Sequence, residues 1–130
     1  MGLVKSMAKE MMKEIGNKSR EFYEFILPPI DMHLDEKNLT VLIDIPGFEK
    51  KDIKLSLEEN ILSIQACKEI SNEDNRKMIC NQRPNIIDKK FRLPVDIENE
   101  DGAVSSAKYS QGVLTIIIPV QKHGKEIKIE

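Results

Sequence analysis

The chain has 130 residues, 40% of them hydrophobic and 32% charged, and its charges nearly cancel to a formal net charge of −2. That length suits one ordinary domain with flanking arms and excludes two full domains. The balance argues against nucleic acid as the main partner, because phosphate binding needs clustered excess Lys and Arg, and the basic clusters here are pairs such as Lys50-Lys51 and Lys89-Lys90, read as solvated faces.

With no Trp and few aromatics, aliphatic side chains must supply most of the burial. No apolar run approaches the span of a membrane helix, and the N-terminus lacks the uninterrupted hydrophobic segment of a signal peptide. No stable membrane association is expected, and the expected location is the cytoplasm. Cys67 and Cys80 have the spacing of neither a metal clip nor a redox pair and read as reduced thiols. His33 and His123 stand far apart without convergent partners, so the expectation is no catalytic residue, no metal and no cofactor.

Residues 1–28 read as an amphipathic arm. Leu3, Val4, Met7, Met11, Met12 and Ile15 recur at three- and four-residue steps among Lys and Glu, a helical pattern that Gly16 is expected to interrupt. Phe22, Phe25 and Ile26 resume it before Pro28-Pro29 stop any helix. Two readings stand: a helix packed on its own domain, or an adaptable sticky arm, since Met and Phe fit irregular apolar surfaces.

From Ile30 the period changes to two. Ile30–Leu34, Leu39–Ile45, Ile53–Leu57 and Ile61–Ala66 alternate, with Pro46-Gly47 and Glu58-Glu59-Asn60 as turns between them. After the polar stretch Ser71–Lys77 come Met78–Cys80, Ile86–Leu93, Val104–Tyr109 and Val113–Val120, the last two joined around Ser110-Gln111-Gly112. Eight short strands without a long intervening helix indicate an antiparallel β-sandwich over residues 29–120, its core drawn from both sheets.

Residues 121–130 form a C-terminal extension, a polar run ending in Ile127-Lys128-Ile129-Glu130. Chain ends are usually solvated, so two isoleucines on one face of an extended segment imply a socket elsewhere.

Three stretches resemble the small heat-shock protein, or α-crystallin domain, family in its microbial form. They are Asp44-Ile45-Pro46-Gly47-Phe48 followed by Asp52-Ile53-Lys54-Leu55, then Ala107-Lys108-Tyr109-Ser110-Gln111-Gly112-Val113-Leu114-Thr115-Ile116 ending in Pro119, and the terminal Ile127-Lys128-Ile129. The resemblance covers roughly Pro29 to Glu130. Gln111 stands where the family's signature has Asn, and Gly112 is expected to carry the tight turn.

The resemblance implies an immunoglobulin-like sandwich that dimerises by strand exchange, with Met78, Ile79 and Cys80 pairing against Ile30, Met32 and Leu34 of another subunit. It places Ile127 and Ile129 as oligomer anchors in a groove lined by Leu55, Leu57, Val104 and Ser106. Leu55 and Leu57 could instead be ordinary core residues. Lys89 stands near a family Arg, so a bidentate dimer salt bridge does not carry over there. The implied function is that of a non-enzymatic, ATP-independent holdase: a large homo-oligomer, 24 subunits in some relatives, that captures non-native client proteins. Met7, Met11, Met12, Ile15, Phe22, Phe25 and Ile26 form its client-binding arm. The rival readings are a monomeric, co-chaperone-like binding module of similar sandwich fold, and an enzyme built on Cys67 or Cys80, which lack an activating neighbour in sequence.

Overall fold

The computed structural model describes residues 2–26, 28–69, 76–98, 105–121 and 127–130. In chain order its elements are α1 (Gly2–Ile26), β1 (Ile30–Leu34), β2 (Asn38–Asp44), a short 3-10 turn (Lys50–Asp52), β3 (Ile53–Glu58), β4 (Ile61–Cys67), β5 (Ile86–Arg92), β6 (Ser106–Ser110) and β7 (Val113–Pro119). The strands form a four-stranded sheet, β1-β2-β7-β6, and a three-stranded sheet, β3-β4-β5. Two antiparallel sheets with an N-terminal helix are the β-sandwich class that the alternation indicates.

Seven strands form among the described residues where eight are expected. The missing one is Met78–Cys80, which is not in a strand. Three residues cannot hold a strand without a neighbour to take up their backbone groups, and among the described residues this segment has no strand beside it.

The chain divides into two compact units. One comprises Pro29–Gly47, Ser56–Ser63 and Lys90–Glu130. At its centre β2 and β7 pair antiparallel, with Leu39 opposite Ile118, Val41 opposite Ile116 and Ile43 opposite Leu114. All six side chains are buried, together with Ile45, Leu62, Leu93, Ile97 and Val120. Period two explains the selection: alternate residues of each strand point to one face, and that face is aliphatic. The other unit comprises Met1–Pro28, Phe48–Leu55 and Ile64–Lys89, and buries Phe48, Ile64, Ala66 and Ile87.

Two tight turns carry positive φ at both central residues, Glu59 (49°) with Asn60 (66°) and Gln111 (54°) with Gly112 (79°). This is the twist that suits a two-residue hairpin. Asn60 does more than turn. Its carbonyl accepts from Leu93 N at 2.7 Å, its Oδ1 accepts from Ile97 N at 3.0 Å, and its Nδ2 donates to Asp96 Oδ1 at 3.0 Å.

At the second turn the first two sequence motifs meet. Ile45 N donates to Gly112 O at 2.8 Å, and Tyr109 OH donates to Ile45 O at 2.9 Å. A Cβ at Gly112 would stand 3.0 Å from Pro46 Cβ and 3.1 Å from its Cα. Gly112 therefore combines a left-handed backbone with close approach to a proline. Gly112→Ala is expected to cost about 1–3 kcal/mol, while Gln111→Asn should leave stability unchanged or raise it. Thermal unfolding of both variants checks the pair, and a neutral Gly112→Ala would contradict the close approach.

Candidate functional site

A helix with an apolar stripe ordinarily buries that stripe, and α1 does the opposite. It runs unbroken from Gly2 to Ile26, so Gly16 does not interrupt it as the sequence suggests. Gly16 is its buried residue. A Cβ there would lie 2.9 Å from Cys80 Sγ and 3.0 Å from Asn81 N, so the glycine serves close approach rather than a break. One turn on, Arg20 Nη1 donates to Asn81 O at 3.2 Å. The guanidinium is held from both sides along the helix, by Asn17 Oδ1 at 2.9 Å and by Glu24 Oε1 at 3.2 Å from its Nε. At the C-terminal end Lys89 Nζ donates to the Phe25 carbonyl and lies 5.5 Å from the centre of the Phe25 ring. A cation at a helix C-terminus meets both its unpaired carbonyls and its dipole.

The helix thus touches its own unit through a small and polar face. Met7, Met11, Met12, Ile15, Phe22, Phe25 and Ile26 are all exposed, as are Leu3 and Val4. At 100° per residue, Met7, Met11, Ile15, Phe22 and Phe25 share one side of the helix, and Gly16 and Arg20 lie away from it. The reading of a helix packed on its own domain is thus met through the Gly16 and Arg20 face, while the apolar stripe stays exposed.

The four-stranded sheet ends at β1, whose inner edge pairs with β2 from Ile30 opposite Ile43 to Leu34 opposite Leu39. No described strand pairs with its outer edge. Ile30 and Met32 are half-buried and Leu34 is exposed. The turn after β1 is set by Asp35, whose Oδ1 accepts from Asn38 N at 2.7 Å and Lys37 N at 2.8 Å. Those two donors, Asn38 first, hold its carboxyl below the usual range. Of the segment expected to pair with a partner's β1, Met78 and Ile79 are exposed and Cys80 is half-buried.

Among the expected groove residues, Leu55 and Leu57 are half-exposed and belong to neither core. Ser106 is exposed, and Val104 lies outside the described residues. Ile127 and Ile129 are 86% and 93% exposed, so the anchor pair is undocked in the single chain. One feature escaped the sequence reading altogether. A cavity of about 260 Å³ is lined by Lys68, Arg76, Met78, Cys80, Asn81 and Arg83 among others. Burial, then the Arg83 charge, push the Lys68 ammonium below its ordinary pKa, and its Nζ sits 5.6 Å from the centre of the Phe48 ring. Among the described residues no helix is long and apolar enough to cross a membrane.

Residues 31–130, which carry the β1 edge, the paired turn motifs and the terminal isoleucines, match the Hsp20/alpha crystallin family. The chain belongs to that family. Its fold is similar to two solved mutants of hsp14.1 from Sulfolobus solfatataricus P2. One is 41% identical with a TM-score of 0.71, covering 95% of this chain and 97% of the other. The second, a Del-C4 mutant, is 43% identical with a TM-score of 0.67, covering 78% and 82%. Among curated proteins, the 17.4 kDa class III heat shock protein of Arabidopsis thaliana is 35% identical over 114 residues, 81% of this chain and 71% of the relative. Membership supports a chaperone role, with small heat-shock proteins as its relatives.

Half-exposure separates Leu55 and Leu57 energetically from the core. Leu62→Ala should cost about 2–5 kcal/mol in urea unfolding, and Leu55→Ala or Leu57→Ala clearly less. Equal losses at all three would make the pair core residues and remove the groove.

Proposed function

We propose that this chain is an ATP-independent holdase that captures partly unfolded proteins and limits their aggregation. The observation that carries the reading is the inverted helix: an arm tethered by Gly16, Arg20 and Lys89 displays its Met and Phe side chains instead of burying them. Displayed Met and Phe suit clients of no fixed shape. The reading needs no nucleotide and no catalytic group, which accords with the non-enzymatic character of the family.

Assembly in this reading has two steps. In the first, Met78, Ile79 and Cys80 of one subunit pair with the open edge of Ile30, Met32 and Leu34 in another, and the short segment gains the hydrogen-bonding neighbour it lacks alone. In the second, Ile127 and Ile129 dock against Leu55, Leu57, Val104 and Ser106 of a neighbouring dimer. Burying one Ile is worth about 1.5–3 kcal/mol, so each tail contributes roughly 3–6 kcal/mol before its ordering entropy is subtracted. A single clasp is weak. Repeated around a closed particle of 24 subunits in the cytoplasm, the clasps hold collectively while each opens and recloses.

Replacing both terminal isoleucines, Ile127→Ser with Ile129→Ser, is expected to collapse the particle towards dimers on a sizing column with an unchanged β-rich spectrum. A double variant that elutes with the parent would remove the tail as clasp, and a parent that elutes as a monomer would favour the co-chaperone-like module. Separately, Met7→Gln, Met11→Gln and Phe22→Gln together should keep the helical spectrum but weaken suppression of client aggregation. Full protection by that triple variant would take the client surface away from the arm.

A further inference from the structure

The face of α1 that docks and the segment it docks on have a consequence for pairing. Gly16 lies against Cys80 Sγ and Asn81 N, and Arg20 donates to Asn81 O. Both backbone groups of Asn81 are thus on the side covered by the helix. In an extended segment the N–H and C=O of one residue point to the same edge, and those of the next residue point to the opposite edge. In the single chain Ile79 is an exposed bend and the helix meets only Cys80 and Asn81. Once residues 78–81 straighten against a partner strand, the backbone groups of Ile79 fall on the same edge as those of Asn81. Met78 and Cys80 offer theirs to the other side.

We propose that α1 is an edge guard: clipped over one edge of the 78–81 segment, it leaves only the Met78 and Cys80 edge open to β1 of a second copy. This rests on the strand-exchange reading given above and adds to it a reason for Gly16. A strand as short as this one has two edges, and an unguarded second edge can pair in the wrong sense or with the wrong chain. The guard costs the helix nothing on its apolar side, because the clip uses Gly16 and Arg20, with Asn17 and Glu24 fixing the guanidinium. It also makes the displayed arm and the exchange segment one moving body.

The two residues can be tested in the full chain by amide hydrogen exchange read by mass spectrometry, together with subunit exchange between isotopically light and heavy copies. Gly16→Ala is the sharp variant. Helix propensity alone favours Ala over Gly, so a helix without the clip would become better protected. The clip predicts the reverse: amides of α1 and of residues 79–81 lose protection together by about ten-fold, β2 and β7 keep theirs, and subunits exchange faster by a similar factor. Arg20→Met, which retains stem length but removes the donors, should show the same joint loss if Gly16→Ala proves too disruptive to fold. Loss of protection in α1 alone, or a gain there, overturns the proposal, as does joint loss with unchanged subunit exchange. Failure of the strand-exchange reading shows separately, as a Met32→Lys with Leu34→Lys variant that exchanges subunits at the parent rate.

Discussion

Every strand must find partners for the backbone groups on both of its edges, and among the described residues of the four-stranded sheet β2 and β7 are the strands flanked on both sides. Seven residue pairs join them, from Asn38 opposite Pro119 to Asp44 opposite Val113, and their inward aliphatic side chains make the centre of that unit's core. Everything outward from this pairing is an edge. Among the described residues, β1 and β6 are the end strands of the four-stranded sheet, and the 78–81 segment has no strand neighbour. Natural sheets protect such edges with charge, short length, bulges or a covering element. Here β1 is short, and at the end of the 78–81 segment Cys80 and Asn81 lie against α1.

The placement of α1 follows from the same constraint. An apolar stripe could have been spent on its own unit, yet the contact residues are a glycine small enough to meet backbone and an arginine able to satisfy a carbonyl. Docking through Gly16 and Arg20 covers backbone at Asn81 and leaves Met7, Met11, Ile15 and Phe22 exposed. The terminal isoleucines follow the same rule on a smaller scale, with apolar groups displayed at the end of a charged extension. Weak, repeated contacts between such displayed groups are what allow an assembly to hold together and still open.

Much of this was legible in the sequence where side-chain period decides structure. β1, β2, β3, β4, β5 and β7 fall where alternation puts them, within a residue or two, and the turns at Glu59-Asn60 and Gln111-Gly112 are those their residues predict. What period could not show was anything set by close approach. Gly16 reads as a helix breaker because propensity sees only the missing side chain, while its contact with Asn81 lies more than sixty residues away in sequence. Lys89 reads as a poor substitute for Arg, and in the folded chain it caps the Phe25 carbonyl. Met78–Cys80 reads as a strand because its composition is that of one, but hydrogen-bonding partners are not written in composition. Of the residues expected to line the groove, Leu55 and Leu57 are half-exposed, Ser106 is exposed and Val104 lies outside the described residues.

The central claim is that open edges and displayed isoleucines are assembly sites, and light scattering of the full chain across concentration and temperature tests it most directly. The account predicts a mass many times the 14.9 kDa of one chain, falling in steps that pass through a dimer as the sample is diluted or warmed. A mass of one chain at every concentration and temperature would contradict it.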